Sequence, residues 1–200
     1  MAGKIELLSR KDIANLSVVG ASTEVLDWVI YDTLTIATGG TATQFRFFQQ
    51  SYGQSGVSLE QTNMEIPGQL AAGYKFVCKR IVATPVVKND LARASLIDAY
   101  NVTHAGRAQF FIGNRPYLQV PMQVLIGGGF GGFAATTVAA ESTNYVAPRA
   151  VISGSMDYSP VIPATYSFSV LLDYPAAPTL AASVPLRMQL VGLILRPRQG

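Results

Sequence analysis

"RAQFFIGNRPYLQVPMQVLI", Arg107 to Ile126, is the stretch whose reading decides the fold. Two apolar runs meet at Gly113-Asn114, a pair suited to a two-residue hairpin turn with positive φ at the glycine. In the second arm Leu118, Val120, Met122, Val124 and Ile126 alternate with Gln119, Pro121 and Gln123. A period of two makes one face of a strand apolar and the other polar, so this arm is predicted to line a core on one side only. Pro121 withholds a ladder donor, which favours a sheet edge or a bulge.

The same period recurs on both sides of this hairpin. Upstream, "EVLDWVIYDTLTIATGG" is rich in β-branched and aromatic residues, and Leu34 and Ile36 alternate with Thr33 and Thr35 before a turn at Gly39-Gly40. "TATQFRFFQQ" resumes as a strand, and "YKFVCKRIVATPVV" is a longer one that ends, or lies on an edge, at Pro85. Downstream, "YSFSVLLDY" and "LRMQLVGLILRPR" read as strands, with Leu186, Met188 and Leu190 on one side and Arg187 and Gln189 on the other. Residues 51–73 carry turn formers and polar residues with no sustained apolar period, so they form a long connection. Connections of this length in a compact domain serve a function or an interface.

Helical signals are few. "NDLARASLIDAY" is the best of them, with Asn89 or Asp90 as cap and Leu91, Ala94, Leu96 and Ile97 as its apolar face. Residues 1–20 read as an arm with one short helix, Ser9 and Asp12 having capping-box spacing and Ile13 and Leu16 following on one face. The connections are not the regular helices of a β-α-β array, so an all-β, two-sheet sandwich is expected. About eight strands with long loops in a chain of this length suit a single jelly roll. The expected organisation is an arm at 1–20 and one jelly-roll domain over 21–200.

Composition points to the surroundings of that domain. Charged residues make up 14% of the 200-residue chain, against roughly 25% in ordinary soluble proteins. A surface so poor in charge is expected to be covered by other protein, as in a permanent assembly. The net charge of +3 comes from scattered Lys and Arg, with no basic run of the kind that tracks nucleic acid. No segment reaches the ~18 consecutive apolar residues of a membrane span. "MAGKIELLSRKD" lacks the apolar centre of a signal peptide, so a soluble, unsecreted chain is expected.

Few residues suited to catalysis occur in the chain. His104 is the sole histidine, which removes any histidine metal cluster and leaves a triad without local support. It is expected at a helix end. Cys78, also alone and set among apolar neighbours, reads as a buried structural thiol. In "GQSGVS" the last glycine is misplaced for a nucleophile elbow at Ser55. Among the acids Glu24, Asp27 and Asp32, which could pair as acid and base, Asp27 and Asp32 are separated by an odd number of residues and would face opposite sides of a regular strand, which weakens the pairing.

"VLIGGGFGGFAATT" satisfies G-x-G-x-x-G at Gly127, Gly129 and Gly132. A dinucleotide site also needs a helix opening at the last glycine and an acidic residue about 20 positions on. "FAATTVAAESTN" has no stripe at helical spacing, Glu141 comes too early and Asp157 lies beyond a proline. The loop is therefore read as the exit from a hairpin strand, with Phe130 and Phe133 as anchors into an adjoining subunit. The expectation is a non-enzyme with no catalytic, cofactor-binding or metal-binding residues, no cofactor and no small-molecule substrate.

Three stretches together resemble a known family. "FRFFQQSYGQSGVSLEQTNMEIPGQL" (45–70), "FFIGNRPYLQVPMQVLIGGG" (110–129) and "LVGLILRPRQ" (190–199) are similar to the jelly-roll major capsid proteins of tailless icosahedral bacterial viruses. The likeness lies in a strand ending in aromatics, a Gly-Gln-rich turn, then "TNM" and Gly-Gln-Leu before the next strand. A second element is the "IGNRPYL" hairpin running to a glycine-rich loop. The resemblance implies a major capsid protein in the virion, packed with copies of itself into capsomers and meeting other virion proteins. It carries over no active-site residues. The 51–73 connection and the 127–144 segment are the expected contacts between subunits, while the arm, Arg196 and Arg198 are candidates for weak contact with genome or an internal membrane. The alternative is a jelly-roll binding module, either carbohydrate-binding or a virion spike or minor capsid protein.

Overall fold

The computed structural model describes residues 7–9, 23–86, 93–126 and 158–197. In chain order these form strands β1 (Leu7–Ser9), β2 (Thr23–Ile36), β3 (Gln44–Phe47) and β4 (Lys75–Pro85), helix α1 (Arg93–His104), then β5 (Arg107–Ile112), β6 (Arg115–Pro121), β7 (Tyr158–Pro163), β8 (Phe168–Asp173) and β9 (Val184–Pro197). A 3-10 turn, Met122–Leu125, follows β6.

The hairpin at Gly113-Asn114 is the centre of the architecture. Gly113 has φ of 59°, and the β5–β6 ladder that leads to the turn shifts register between Phe110 and Phe111. Outward from it, each strand pairs antiparallel with the one equally far along the chain on the other side: β5 with β6, β4 with β7, β3 with β8 and β2 with β9. Rolling this nested ribbon brings β9 beside β4 and β8 beside β5. The result is a five-stranded sheet, β1-β7-β4-β9-β2, facing a four-stranded sheet, β3-β8-β5-β6. This strand order defines a jelly-roll sandwich, the architecture expected from the spacing of the strands.

Alternation fixes which faces meet. Leu186, Met188 and Leu190 of β9 are buried, as are Ala108, Phe110 and Ile112 of β5 and Phe168, Val170 and Leu172 of β8. They join Phe76, Cys78 and Ile81 of β4 in one core between the sheets. Each large side chain removed from water contributes about 1.5–3 kcal/mol relative to exposure. A smaller cluster, Val77, Val161 and Leu193, involves strands of the five-stranded sheet alone.

Three local expectations are corrected. The alternation read through Ile126 stops at Pro121, the last residue of β6. Met122 and Leu125 are then buried three residues apart in the 3-10 turn, and Val124 is 44% exposed. A period of three replaces the period of two once proline ends the ladder on this edge strand, and Met122 N–H donates to Gly106 O at 2.7 Å. The helix runs on to His104, and Ile97 on its expected apolar face is 48% exposed. From Ile97 on, where side-chain burial is described, Asp98, Ala99, Val102 and Thr103 are buried, two pairs at a spacing of four. Ser9, the expected helix cap of the arm, instead ends β1, whose residues pair with β7. Asp12, Ile13, Leu16, Asn89 and Asp90 lie outside the described residues.

Asp98 explains why α1 packs as it does. Its two carboxylate oxygens accept the N–H groups of Ala181 and Ala182 at 2.9 and 2.8 Å, pinning the helix to the connection before β9. Asp98→Ala is expected to cost about 1–3 kcal/mol by leaving two donors unsatisfied, readable as a lower urea midpoint at unchanged slope.

Candidate interaction surface

β2 is an edge strand of the five-stranded sheet, and part of its free edge is closed by the 51–73 connection. An uncovered strand of 14 residues presents unpaired backbone groups to any other chain. Asn63 covers part of them by imitating a neighbouring strand: Oδ1 accepts from Tyr31 N at 2.9 Å and Nδ2 donates to Val29 O at 2.8 Å. Thr62 Oγ1 adds a bond to Tyr31 O at 3.0 Å, while the Tyr31 hydroxyl donates to Leu59 O. Arg187 crosses the same place, donating to Thr33 Oγ1 and Glu60 O with its guanidinium 5.1 Å from the Tyr31 ring centroid. The connection is therefore a built surface, with Met64 and Leu70 inserted into the core.

That surface shows apolar side chains to solvent. Tyr52, Leu59 and Ile66 of the connection are exposed, as are Trp28 and Val29 of the strand beside it. Between strand and connection lies a cleft of about 170 Å³. Its floor is Ile30, Met64, Leu70 and Ile194, and Trp28, Tyr74 and Arg196 line its wall. The Arg196 Nε donates to Glu24 Oε2 at 2.8 Å. Arg196 is thus an ion-paired residue of β9, and Arg198 lies outside the described residues.

On the core face of β2, in phase with Ile30, sits Asp32. It is 1% exposed; its Oδ2 accepts the N–H of Phe48, a residue held at a φ of 67°, and Oδ1 has no partner among the described residues. Burial pushes this carboxyl above the usual range, against the lesser pull of the Phe48 and Thr33 N–H groups. Asp27 faces the other side of β2, with a side chain 92% exposed and 3.8 Å from Lys79. The odd spacing thus separates the two acids as expected.

The remaining residues weighed for chemistry are apart from one another. His104 ends α1, its ring stacked on Tyr100 at 3.9 Å. Cys78 is buried and its thiol is pushed up by that burial, which suppresses the thiolate. Ser55 lies in successive turns of the 51–73 connection, with Gly53 N–H bonded to Val57 O, and not between a strand and a helix. Among the described residues no three His, Cys, Asp or Glu gather as a metal set, and no helix is long and apolar enough to cross a membrane. Gly127, Gly129, Phe130, Gly132 and Phe133, with the rest of 127–144, lie outside the described residues.

Asn63, the burial of Asp32 and the cleft escaped the sequence reading. Asp32 had one legible signal, its place in phase with Ile30, Leu34 and Ile36 on the apolar side of the strand. No protein-family model matches the chain, and no curated protein or solved structure is significantly similar to it.

Proposed function

We propose that this chain is a structural, non-enzymatic protein of a virion: the major capsid protein of an icosahedral bacterial virus, assembling with copies of itself into capsomers. The observation that carries this reading is the exposure of large apolar side chains on the 51–73 connection, Tyr52, Leu59 and Ile66, and of Trp28 on the strand that it covers. Large apolar side chains left in solvent on a built surface suit contact with other protein. Two further features support it. The chain is only 14% charged, as suits a protomer covered by neighbours, and three stretches of sequence resemble jelly-roll capsid proteins. A jelly roll by itself serves many functions, so the fold adds permission and not identity.

Assembly of this kind needs no strong single contact, because each protomer meets several neighbours and the contacts reinforce one another. Sedimentation velocity of the purified full-length protein over a concentration series tests the reading. Discrete capsomers or larger closed species, rising steeply with concentration, are expected. A monomer that persists at the highest concentration, particularly one that retains specific glycans on an array, would replace this reading with that of a binding module.

A further inference from the structure

The geometry points to the Trp28 cleft as the socket for one large apolar side chain of a second copy of this chain. This rests on the self-assembly reading above and locates its anchor. At about 170 Å³ the cleft is smaller than the ~300–1,000 Å³ of sites that enclose small-molecule ligands. It matches a single bulky side chain. Its floor, Ile30, Met64, Leu70 and Ile194, is apolar and continuous with the core, so a guest there meets a surface already fixed in place.

The wall has the composition of an interface anchor. Trp28, Tyr74 and Arg196 are the three residue types that dominate binding energy where proteins meet, and they do so in pockets that exclude water. The cation is already engaged by Glu24, so the cleft offers an anionic guest no unopposed charge. Glu65 stands at the cleft, and the 51–73 connection as a whole carries Glu60 and Glu65 and no Lys or Arg, in a chain of net charge +3. An acidic, apolar-centred surface on a net-basic protein is complementary to other surfaces of that same protein. Such a contact joins unlike faces of two copies, the head-to-tail kind that builds rings and shells.

Trp28 is the single tryptophan of the chain and is 44% exposed in the protomer, so it reports directly on the cleft. Its emission should shift to the blue and its quenching by acrylamide should fall as the wild-type protein assembles. Ala71 also lines the cleft, and Ala71→Phe would occupy the space from within. Both Ala71→Phe and Trp28→Ala should raise the concentration needed for assembly at least about tenfold while circular dichroism and the melting curve show a folded protomer. If wild type assembles with Trp28 emission and quenching unchanged, or if both folded variants assemble at the wild-type concentration, the socket is overturned and the self-assembly reading stands. If wild type never assembles, both fall together.

Discussion

Gly192→Ala is expected to destabilise the folded state severely. Gly192 lies within β9, an interior strand, with Cys78 of β4 on one side and Trp28 of β2 on the other. A Cβ at this position would stand 1.9 Å from the carbonyl oxygen of Val77 and 3.1 Å from the Phe76 ring. The first contact is with backbone, which cannot rotate aside as a side chain would. The β4 ladder also shifts register between Cys78 and Arg80 at this point, so β4 is already displaced locally by an irregularity. Making room means separating β4 from β9 and losing ladder bonds beside the core residues Phe76 and Cys78. Overpacking of a well-filled core costs about 1–3 kcal/mol, more where backbone must move, against a total stability of about 5–15 kcal/mol. Urea unfolding or soluble yield measures it; a wild-type midpoint for the alanine variant would show that the close approach does not exist.

The second large effect is at Asp32, and it depends on pH. Asp32→Ala removes the acceptor of the Phe48 N–H, both groups being buried, and should cost about 1–3 kcal/mol. Asp32→Asn keeps a carbonyl oxygen for that donor and removes the buried charge, so it should be far milder. The pH dependence separates the two forms of wild type. Burial raises the Asp32 pKa in the folded protein, so the folded chain binds this proton more tightly than the unfolded one. The stability gained from that binding is complete below the unfolded pKa of about 4 and is lost as pH rises through the folded value. Relative to Asp32→Asn, wild type should therefore gain stability as pH falls from neutral towards about 4. Urea midpoints of both proteins over that range provide the measurement. A wild type that instead loses ground to the asparagine variant on acidification would mean that the carboxylate is stabilised where it sits.

What could be read from sequence was whatever depends on neighbours along the chain. The Gly113-Asn114 turn and the alternation at Leu186, Met188 and Leu190 are local signals, and because jelly-roll pairs nest around the central hairpin, these elements suffice to suggest the sandwich. The reading failed where a distant partner overrides the local pattern. Pro121 ends β6 and turns the chain into a 3-10 period, burying Leu125 in place of Val124. Asp98 is buried because Ala181 and Ala182 supply its donors, which no helical periodicity predicts. The candidate surface was half legible: the 51–73 connection stood out by its length and composition. The cleft did not, since it is assembled from Trp28, Tyr74 and Arg196, which only the pairing of β2 with β9 and β9 with β4 brings together.

These pairings also explain why a surface connection is built so firmly. Asn63 closes the edge of β2 at Val29 and Tyr31, discouraging uncontrolled strand addition there while leaving apolar side chains outward. A protomer that must meet its neighbours in one way and no other is served by that combination. Electron micrographs of the purified full-length protein at assembly concentration test the central claim most directly. Closed particles of uniform diameter built from repeated capsomers are the predicted result, and a field of separate protomers, or of irregular aggregates without a repeating unit, would contradict it.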